Sequence, residues 1–240
     1  MKKQQLIIWA TLFLVLINSS VLFSEIQKPR LFIKFNGTAA FSSAGDFGDF
    51  IDKNEVTRPN FRGYGGEIGL EMKRHSVGIG TGYIERYLDA GYRYSFSAIP
   101  IFLFIRYKLI NGSFLKASVT LGEGVYLAAY QEKIADTVLL KSKKNSLGFH
   151  GGVSLDFNIF KFLALSVDGG YQLVSFKEMV GKDYRYVGVP LEGNLYYQAN
   201  ESTGQYSFFI NQPKKTVPES RPAVFNLNGF IISAGLKIIL

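Results

Sequence analysis

The segment Ser146–Phe160, SLGFHGGVSLDFNIF, alternates between two kinds of side chain. Its odd positions, from Leu147 to Ile159, are apolar or glycine, whereas its even positions include Ser154 and Asp156. A period of two residues places successive side chains on opposite faces of a β-strand. The segment is therefore predicted to be a strand with one apolar face and one polar face.

The same alternation marks seven further segments of the chain. They are Leu31–Phe41, Phe61–Arg74, Val77–Tyr87, Tyr94–Leu109, Phe114–Tyr130, Phe162–Phe176 and Phe225–Leu240. Strands in globular proteins most often have about 5–6 residues, and a tilted strand needs about 9–11 residues to cross a bilayer. Because all eight segments are at least 11 residues long, the pattern favours membrane-crossing strands.

The connections between these segments alternate in length. Three are tight turns, at residues 73–76, 110–113 and 160–161, and four are longer and polar, at residues 42–60, 88–93, 131–145 and 177–224. Tight turns at one rim and long loops at the other are typical of an up-and-down membrane barrel. The predicted fold class is therefore an all-β, antiparallel transmembrane barrel of eight strands, with ten strands as the alternative.

Composition excludes several other classes of protein. The chain has no cysteine, so it can form no disulfide, thiolate metal site or cysteine nucleophile. Its 2 histidines leave little for a zinc enzyme, and its hydrophobic fraction of 47% is too high for a disordered chain. The net charge of +8 is spread along the chain, so nucleic acid is not predicted as a partner.

The N-terminal segment predicts export. Lysines precede the apolar run Leu6–Ile17, and the polar residues Asn18–Ser20 follow it. A helix needs about 20 apolar residues to span a bilayer, so this run is too short. We predict a signal peptide over residues 1–24, with an uncleaved anchor as the alternative, and a single barrel domain over residues 25–240.

The whole chain resembles the small bacterial outer-membrane β-barrel proteins of the OmpX/OmpA type. The resemblance rests on the leader, the eight strands, the Pro-containing apolar strand SAIPIFLFIRYKL and the closing strand. In such families the last strand carries a signal for the outer-membrane assembly machinery, and Ser233, Gly235, Ile238 and Leu240 match its spacing. Leu240 departs from the usual aromatic final residue. The resemblance implies a bacterial outer-membrane location, with lipid and the assembly machinery as partners.

The alternation of side chains along each strand also predicts which side chains point into the barrel. An eight-stranded barrel is just wide enough for side chains to fill it. The charged residues assigned to the interior are Lys34, Glu67, Glu71, Arg106, Lys108, Lys116, Asp156, Asp168 and Lys237. Buried charges must be paired, so we expect a structural salt-bridge network. A gated ion path is the alternative.

The sequence offers little evidence for a catalytic site. His150 and Ser154 share a face but lie about 13 Å apart along the strand, and His75 and Ser76 point to opposite faces of a turn. The sequence therefore predicts no catalytic, cofactor or metal site. Glu123 falls on the lipid-facing side between two glycines, and we expect a β-bulge that turns it inward.

Residues 177–224 form the longest predicted loop and are rich in tyrosine and phenylalanine. A β-hairpin is expected around Leu195–Ile210. Its rings either offer an adhesive surface to an unidentified external partner or pack on one another and at the membrane interface. We expect this loop to lie outside the cell and to be dispensable for folding.

The sequence favours a non-enzymatic outer-membrane barrel that serves envelope structure or surface interaction. Two alternatives stay open at this point. One is a small pore for passive transport, and the other is a secreted lipocalin-like carrier, whose apolar face would point inward.

Overall fold

The computed structural model describes residues 29–42, 44–53, 61–89, 91–185, 189–200, 205–210 and 220–240. The predicted signal peptide lies outside these residues. The strands are β1 Arg30–Ser42, β2 Phe61–Glu71, β3 His75–Asp89, β4 Arg93–Asn111, β5 Leu115–Ile134, β6 Thr137–Phe160, β7 Leu163–Lys177, β8 Val180–Asp183, β9 Leu191–Asn200, β10 Gln205–Ile210, β11 Ser220–Pro222, β12 Val224–Asn226 and β13 Gly229–Ile239. The described residues also include one helix, α1, which spans Asp46–Lys53.

Eight of these strands form a barrel. β1 to β7 pair antiparallel in chain order, and β13 pairs with both β7 and β1, which returns the sheet to its start. The prediction of eight strands is confirmed. β9 and β10 pair with each other outside this ring, so the ten-stranded alternative does not apply.

The barrel carries its apolar face on the outside. Phe35, Leu103 and Leu121 are 60%, 59% and 67% exposed, whereas the charged residues of the predicted interior set point inward. This is the arrangement of a barrel in lipid and the opposite of a soluble lipocalin-like carrier. Among the described residues, no helix combines the length and apolarity needed to cross a membrane.

The prediction of a long loop is wrong for two of the four connections. Residues 131–145 form the outer ends of β5 and β6, joined by a tight turn at Ala135–Asp136, and residues 90–92 alone connect β3 to β4. Above the lipid these strands meet water on their outer face, so polar residues occupy positions that are apolar lower down. The hydrophobic alternation fades there although the strands continue.

The connection from β7 to β13 builds most of a structured cap, which we call the crown. It consists of α1, β8 to β12 and the outer ends of β4, β5 and β6. β8 adds to β6, β9 adds to β8, and β12 adds to β7. The predicted hairpin is confirmed, because Leu195 of β9 pairs with Ile210 of β10.

Leu155→Arg tests which face of the barrel meets lipid. Leu155 lies on the outer face of β6, next to the buried inward residue Asp156. We expect the variant to lower the free energy of unfolding by about 2–4 kcal/mol, because an arginine at mid-bilayer depth is desolvated. The measurement is urea unfolding of the folded chain from lipid vesicles.

Ala129→Arg is the matched control. Ala129 lies on the outer face of β5 between Ser97 and Lys143, beyond the apolar belt. There an arginine costs only about 0–1 kcal/mol. Equal effects of the two substitutions would contradict the assigned depth of the belt.

Candidate functional site

Glu71 is the centre of a charge cluster at the turn-side end of the lumen. Its carboxylate lies 3.0 Å from Lys108 Nζ, 2.6 Å from Lys116 Nζ and 2.6 Å from Lys237 Nζ. Lys237 also contacts Asp156 at 2.8 Å. These residues come from β2, β4, β5, β6 and β13, so the cluster ties together strands on all sides of the barrel.

A second layer of charges lies next to this cluster. Arg106 donates from Nη2 to both carboxylate oxygens of Glu67, at 2.8 and 2.6 Å, and its Nε donates to Thr120 Oγ1 at 3.2 Å. Lys34 is paired with Asp168, which also accepts a hydrogen bond from the Ser154 hydroxyl. The structure therefore places all of the predicted interior charges inside the barrel and gives each an ionic partner.

The outer half of the lumen is filled by aromatic rings instead. We call this cluster the aromatic plug, and its central rings are Phe47, Phe96, Tyr130, Phe208 and Phe225, each at most 1% exposed. Ring centroids are 4.8 Å apart for Phe96 and Phe225 and for Tyr130 and Phe208. Rings from α1, two barrel strands and two crown strands thus close the barrel on the loop side.

The sequence interpretation missed the aromatic plug because it assigned polar side chains to the whole interior. A signal for it exists in β5. Most odd, outward positions up to Ala129 are apolar, and the even, inward positions also become apolar at Tyr126, Ala128 and Tyr130. This change marks the height at which aromatic rings replace the charged layers in the interior.

The loop between β7 and β13 supplies part of this plug. Leu195, Tyr197, Phe208 and Ala223 are all nearly or fully buried in it. These contacts show that the loop packs on the barrel, and the expectation that residues 177–224 are dispensable for folding stays a prediction. Of the two roles considered for its aromatic residues, packing on one another is the one observed for Tyr197 and Phe208, which lie 5.2 Å apart.

Ion pairs between Arg185, whose side chain is 35% exposed, and two buried carboxylates fasten the crown. Arg185 donates to Asp183 at 2.6 Å and lies 3.5 Å from Glu132, which accepts a hydrogen bond from the Tyr130 hydroxyl at 2.7 Å. Burial raises the pKa of Glu132 despite these contacts. Desolvation therefore outweighs pairing at this carboxylate, which lies beyond the membrane-spanning segments.

A cavity of about 120 Å³ separates the charged layers from the aromatic plug. Its lining includes Asn36, Gln172 and His150. The His150 ring lies against Phe102, with centroids 4.6 Å apart, while Ser154 is bonded to Asp168. The structure does not bring His150 and Ser154 together.

The prediction of a β-bulge at Glu123 is wrong. Glu123 stays in register between Leu103 and Phe149 and points outward. Its neighbour Gly122 faces inward, where a Cβ atom would lie 2.1 Å from Cε1 of His150. The glycine therefore makes room for a ring inside the lumen and does not bend the strand.

The four residues of the predicted assembly signal lie at the closing strand β13. Ser233 and Gly235 face the lumen, and the Ser233 hydroxyl lies 3.0 Å from that of Thr38. A Cβ atom at Gly235 would lie 1.8 Å from the carbonyl oxygen of Phe35, so the close pairing with β1 requires glycine. Ile238 and Leu240 lie on the outer, apolar face.

Comparison with known proteins identifies the fold. No family model and no curated protein matches the chain. Among solved structures, a major outer membrane protein from Thermus thermophilus is 13% identical, with 88% of this chain and 99% of that chain covered and a TM-score of 0.51. The outer membrane protein OprG from Pseudomonas aeruginosa is 12% identical, with 89% and 97% covered and a TM-score of 0.51.

The fold is that of the small bacterial outer-membrane β-barrel proteins. At these identities the likeness establishes the fold, and the resemblance stated from the sequence is confirmed at that level. The aromatic plug, the charged layers and the crown are features of this chain's own residues.

Proposed function

We propose that this protein is a non-enzymatic barrel of the bacterial outer membrane that does not conduct and that holds a folded crown at the cell surface. The observation that carries the proposal is the double closure of the lumen, by paired charges at one end and by the aromatic plug at the other. Such a barrel serves envelope structure or surface interaction through its crown.

The orientation of the chain supports a crown outside the cell. The tight turns at residues 72–74, 112–114 and 161–162 share one rim with the first residue of β1 and the last residue of β13. In outer-membrane barrels the short turns face the periplasm and the long connections face outward. We also propose that Ser233, Gly235, Ile238 and Leu240 are read by the assembly machinery during insertion.

The partners of the serine and histidine candidates support a non-enzymatic role. A serine nucleophile requires a base within hydrogen-bond reach. The acceptor of the Ser154 hydroxyl is not a histidine but the Asp168 carboxylate, which is ion-paired with Lys34, and His75 lies against the Tyr107 ring at 5.1 Å.

Conductance measurements in planar bilayers test the closed lumen. We expect the folded full chain to give no current steps, because the paired charges and the packed rings both obstruct the path of an ion. Heat-modifiable migration on gels verifies that the barrel has inserted. Steady current steps from the inserted, wild-type chain would support the passive pore and contradict the proposal.

An epitope tag tests the topology. Inserted at Glu201–Ser202, between β9 and β10, the tag should be detected on intact cells, because the connections between strands tolerate insertions better than the strands themselves. A tag inserted between Lys161 and Phe162, at the opposite rim, should be detected only after the outer membrane is permeabilised. The reverse pattern would place the crown in the periplasm.

A further inference from the structure

Glu123 places a carboxyl group on the lipid-facing wall of the barrel. It lies on the outer face of β5 between Leu103 of β4 and Phe149 of β6, and its side chain is partly buried between these neighbours. Elsewhere on this face, from Leu115 to Leu127, β5 carries only apolar side chains. Glu123 is therefore a single polar group within the apolar belt of this strand.

The depth of Glu123 keeps its carboxyl group away from water. The apolar side chains of Val125 and Leu127 separate it from the water-exposed end of β5, over about 13 Å along the strand. Toward the turn side, Leu121 and Val119 continue the apolar face. A polar group at such a position is costly unless a hydrogen bond satisfies it, and ionisable residues within membrane segments commonly mark functional contacts.

Nothing in the described part of the chain satisfies this carboxyl group. Glu123 forms no ion pair and no side-chain hydrogen bond with another described residue. The nearby cation Arg106 points into the lumen, on the other side of the barrel wall, and is bound there to Glu67. Lipid chains have no group that forms a hydrogen bond at this depth. A partner for Glu123 therefore has to come from another molecule in the membrane.

The wall around Glu123 is shaped as a groove of about 410 Å³. Gly124 and Gly148 are cross-strand partners that both line it, so bare backbone forms part of its surface. The outward apolar side chains that line it are Ile79, Ile101, Leu103, Val125, Leu147 and Phe149. We call this surface the Glu123 groove. Leu103 and Leu147 project on either side of it, so the wall offers a shaped contact surface at the depth of the carboxyl group.

We propose that the Glu123 groove is covered by a second copy of this chain, with the two Glu123 carboxyls hydrogen-bonded to each other. A twofold axis along the membrane normal brings identical residues together at the same depth. A carboxyl that carries a proton donates one hydrogen bond and accepts another, so it is its own complement. The second copy thus supplies the missing partner inside the hydrocarbon layer.

The competing occupants of the groove meet only part of this requirement. A lipid chain fills the apolar part of the groove but leaves the carboxyl unsatisfied. A different protein would need a polar group at the depth of Glu123, whereas symmetry places one there in a second copy. The second copy is therefore the occupant that the position of Glu123 favours.

Energy transfer between donor-labelled and acceptor-labelled chains in phosphatidylcholine vesicles tests this association. The chain has no cysteine, so Lys161→Cys at the turn-side rim allows one label on each copy. We expect transfer that rises with the protein-to-lipid ratio and depends linearly on the acceptor fraction, as for a dimer. In this background Glu123→Leu should weaken association by about tenfold, comparable to the strongest hydrogen bonds between membrane segments. Glu123→Gln keeps a donor and an acceptor and should associate as the unmodified residue does.

Two leucine truncations are the matched controls. Leu147 lines the Glu123 groove, whereas Leu236 lies on the outer face of β13, away from it. Leu147→Ala should weaken association, and Leu236→Ala should leave it unchanged. Heat-modifiable migration on gels verifies that each variant has folded, and Glu123→Leu should fold because it places an apolar side chain against lipid.

Three results would overturn the inference. The first is energy transfer in the chain with Glu123 intact that never exceeds the level of randomly placed chains. The second is association of Glu123→Leu as strong as that of the chain with Glu123 intact. The third is an equal loss of association in Leu147→Ala and Leu236→Ala, because the contact would then not be confined to the wall around Glu123.

Discussion

Glu71→Gln should lower the free energy of unfolding of the barrel by about 3–5 kcal/mol, because it leaves buried ammonium groups without their carboxylate. Glu71 contacts Lys108, Lys116 and Lys237, and the side chains of Lys108 and Lys237 are at most 4% exposed. Glutamine keeps the size of the side chain, so the loss is electrostatic. Urea unfolding of the folded chain from lipid vesicles measures it.

Two further variants separate this effect from a general loss of packing. Adding Lys116→Gln to Glu71→Gln removes one of the uncompensated charges and should recover part of the loss. Glu85→Gln, in a more solvent-exposed pair with Arg93 at 3.7 Å, should change the stability by only about 0–1 kcal/mol. Similar losses in Glu71→Gln and Glu85→Gln would show that the lumen cluster is not desolvated as described.

Phe208→Ala should cost the crown about 3–5 kcal/mol, as for other truncations of a fully buried ring. Phe208 lies 4.8 to 5.5 Å, centroid to centroid, from four other rings, those of Phe50 on α1, Tyr130, Tyr197 and Phe225. Its removal leaves a cavity between β10 and the barrel wall. Hydrogen exchange of the β9 and β10 amides measures the local stability without requiring the whole barrel to unfold.

Phe209→Ala is the matched control on the neighbouring residue. Phe209 points to the other side of the hairpin and stacks on Tyr196 at 5.9 Å. Its loss should cost about 0.5–1.5 kcal/mol, the value of one ring pair. If both variants accelerate exchange equally, the aromatic plug does not anchor the hairpin.

The strands and their faces were predictable because they depend on a local period. In β6, Leu155 and Asp156 are neighbours in sequence, and a pleated strand necessarily sends them to opposite sides. The same rule predicts Glu71, Arg106 and Lys237 inside the barrel from the sequence alone. The bulge expected at Glu123 was wrong because the role of a flanking glycine, Gly122, is to make room for the His150 ring.

The pairing of the interior charges was not predictable in the same way. Lys34 and Asp168 are 134 residues apart, and parity along a strand fixes the face of each but not its height in the barrel. Height follows from the register of every strand pair around the ring. Only the closed sheet therefore decides that Glu71 meets three lysines and that Arg106 meets Glu67.

The alternating sequence by itself determined an eight-stranded barrel with an apolar exterior. Within the membrane, one face of each strand contacts lipid and the other faces the lumen along the whole span, so the alternation of side chains is regular. Only the tertiary structure decided what happens above the lipid. There the outer face meets water and the inner face meets α1 and the crown strands, so the inner face of β5 becomes apolar from Tyr126 and its outer face becomes polar from Gln131. The aromatic plug depends on segments far apart in sequence folding over one opening, which no local pattern encodes.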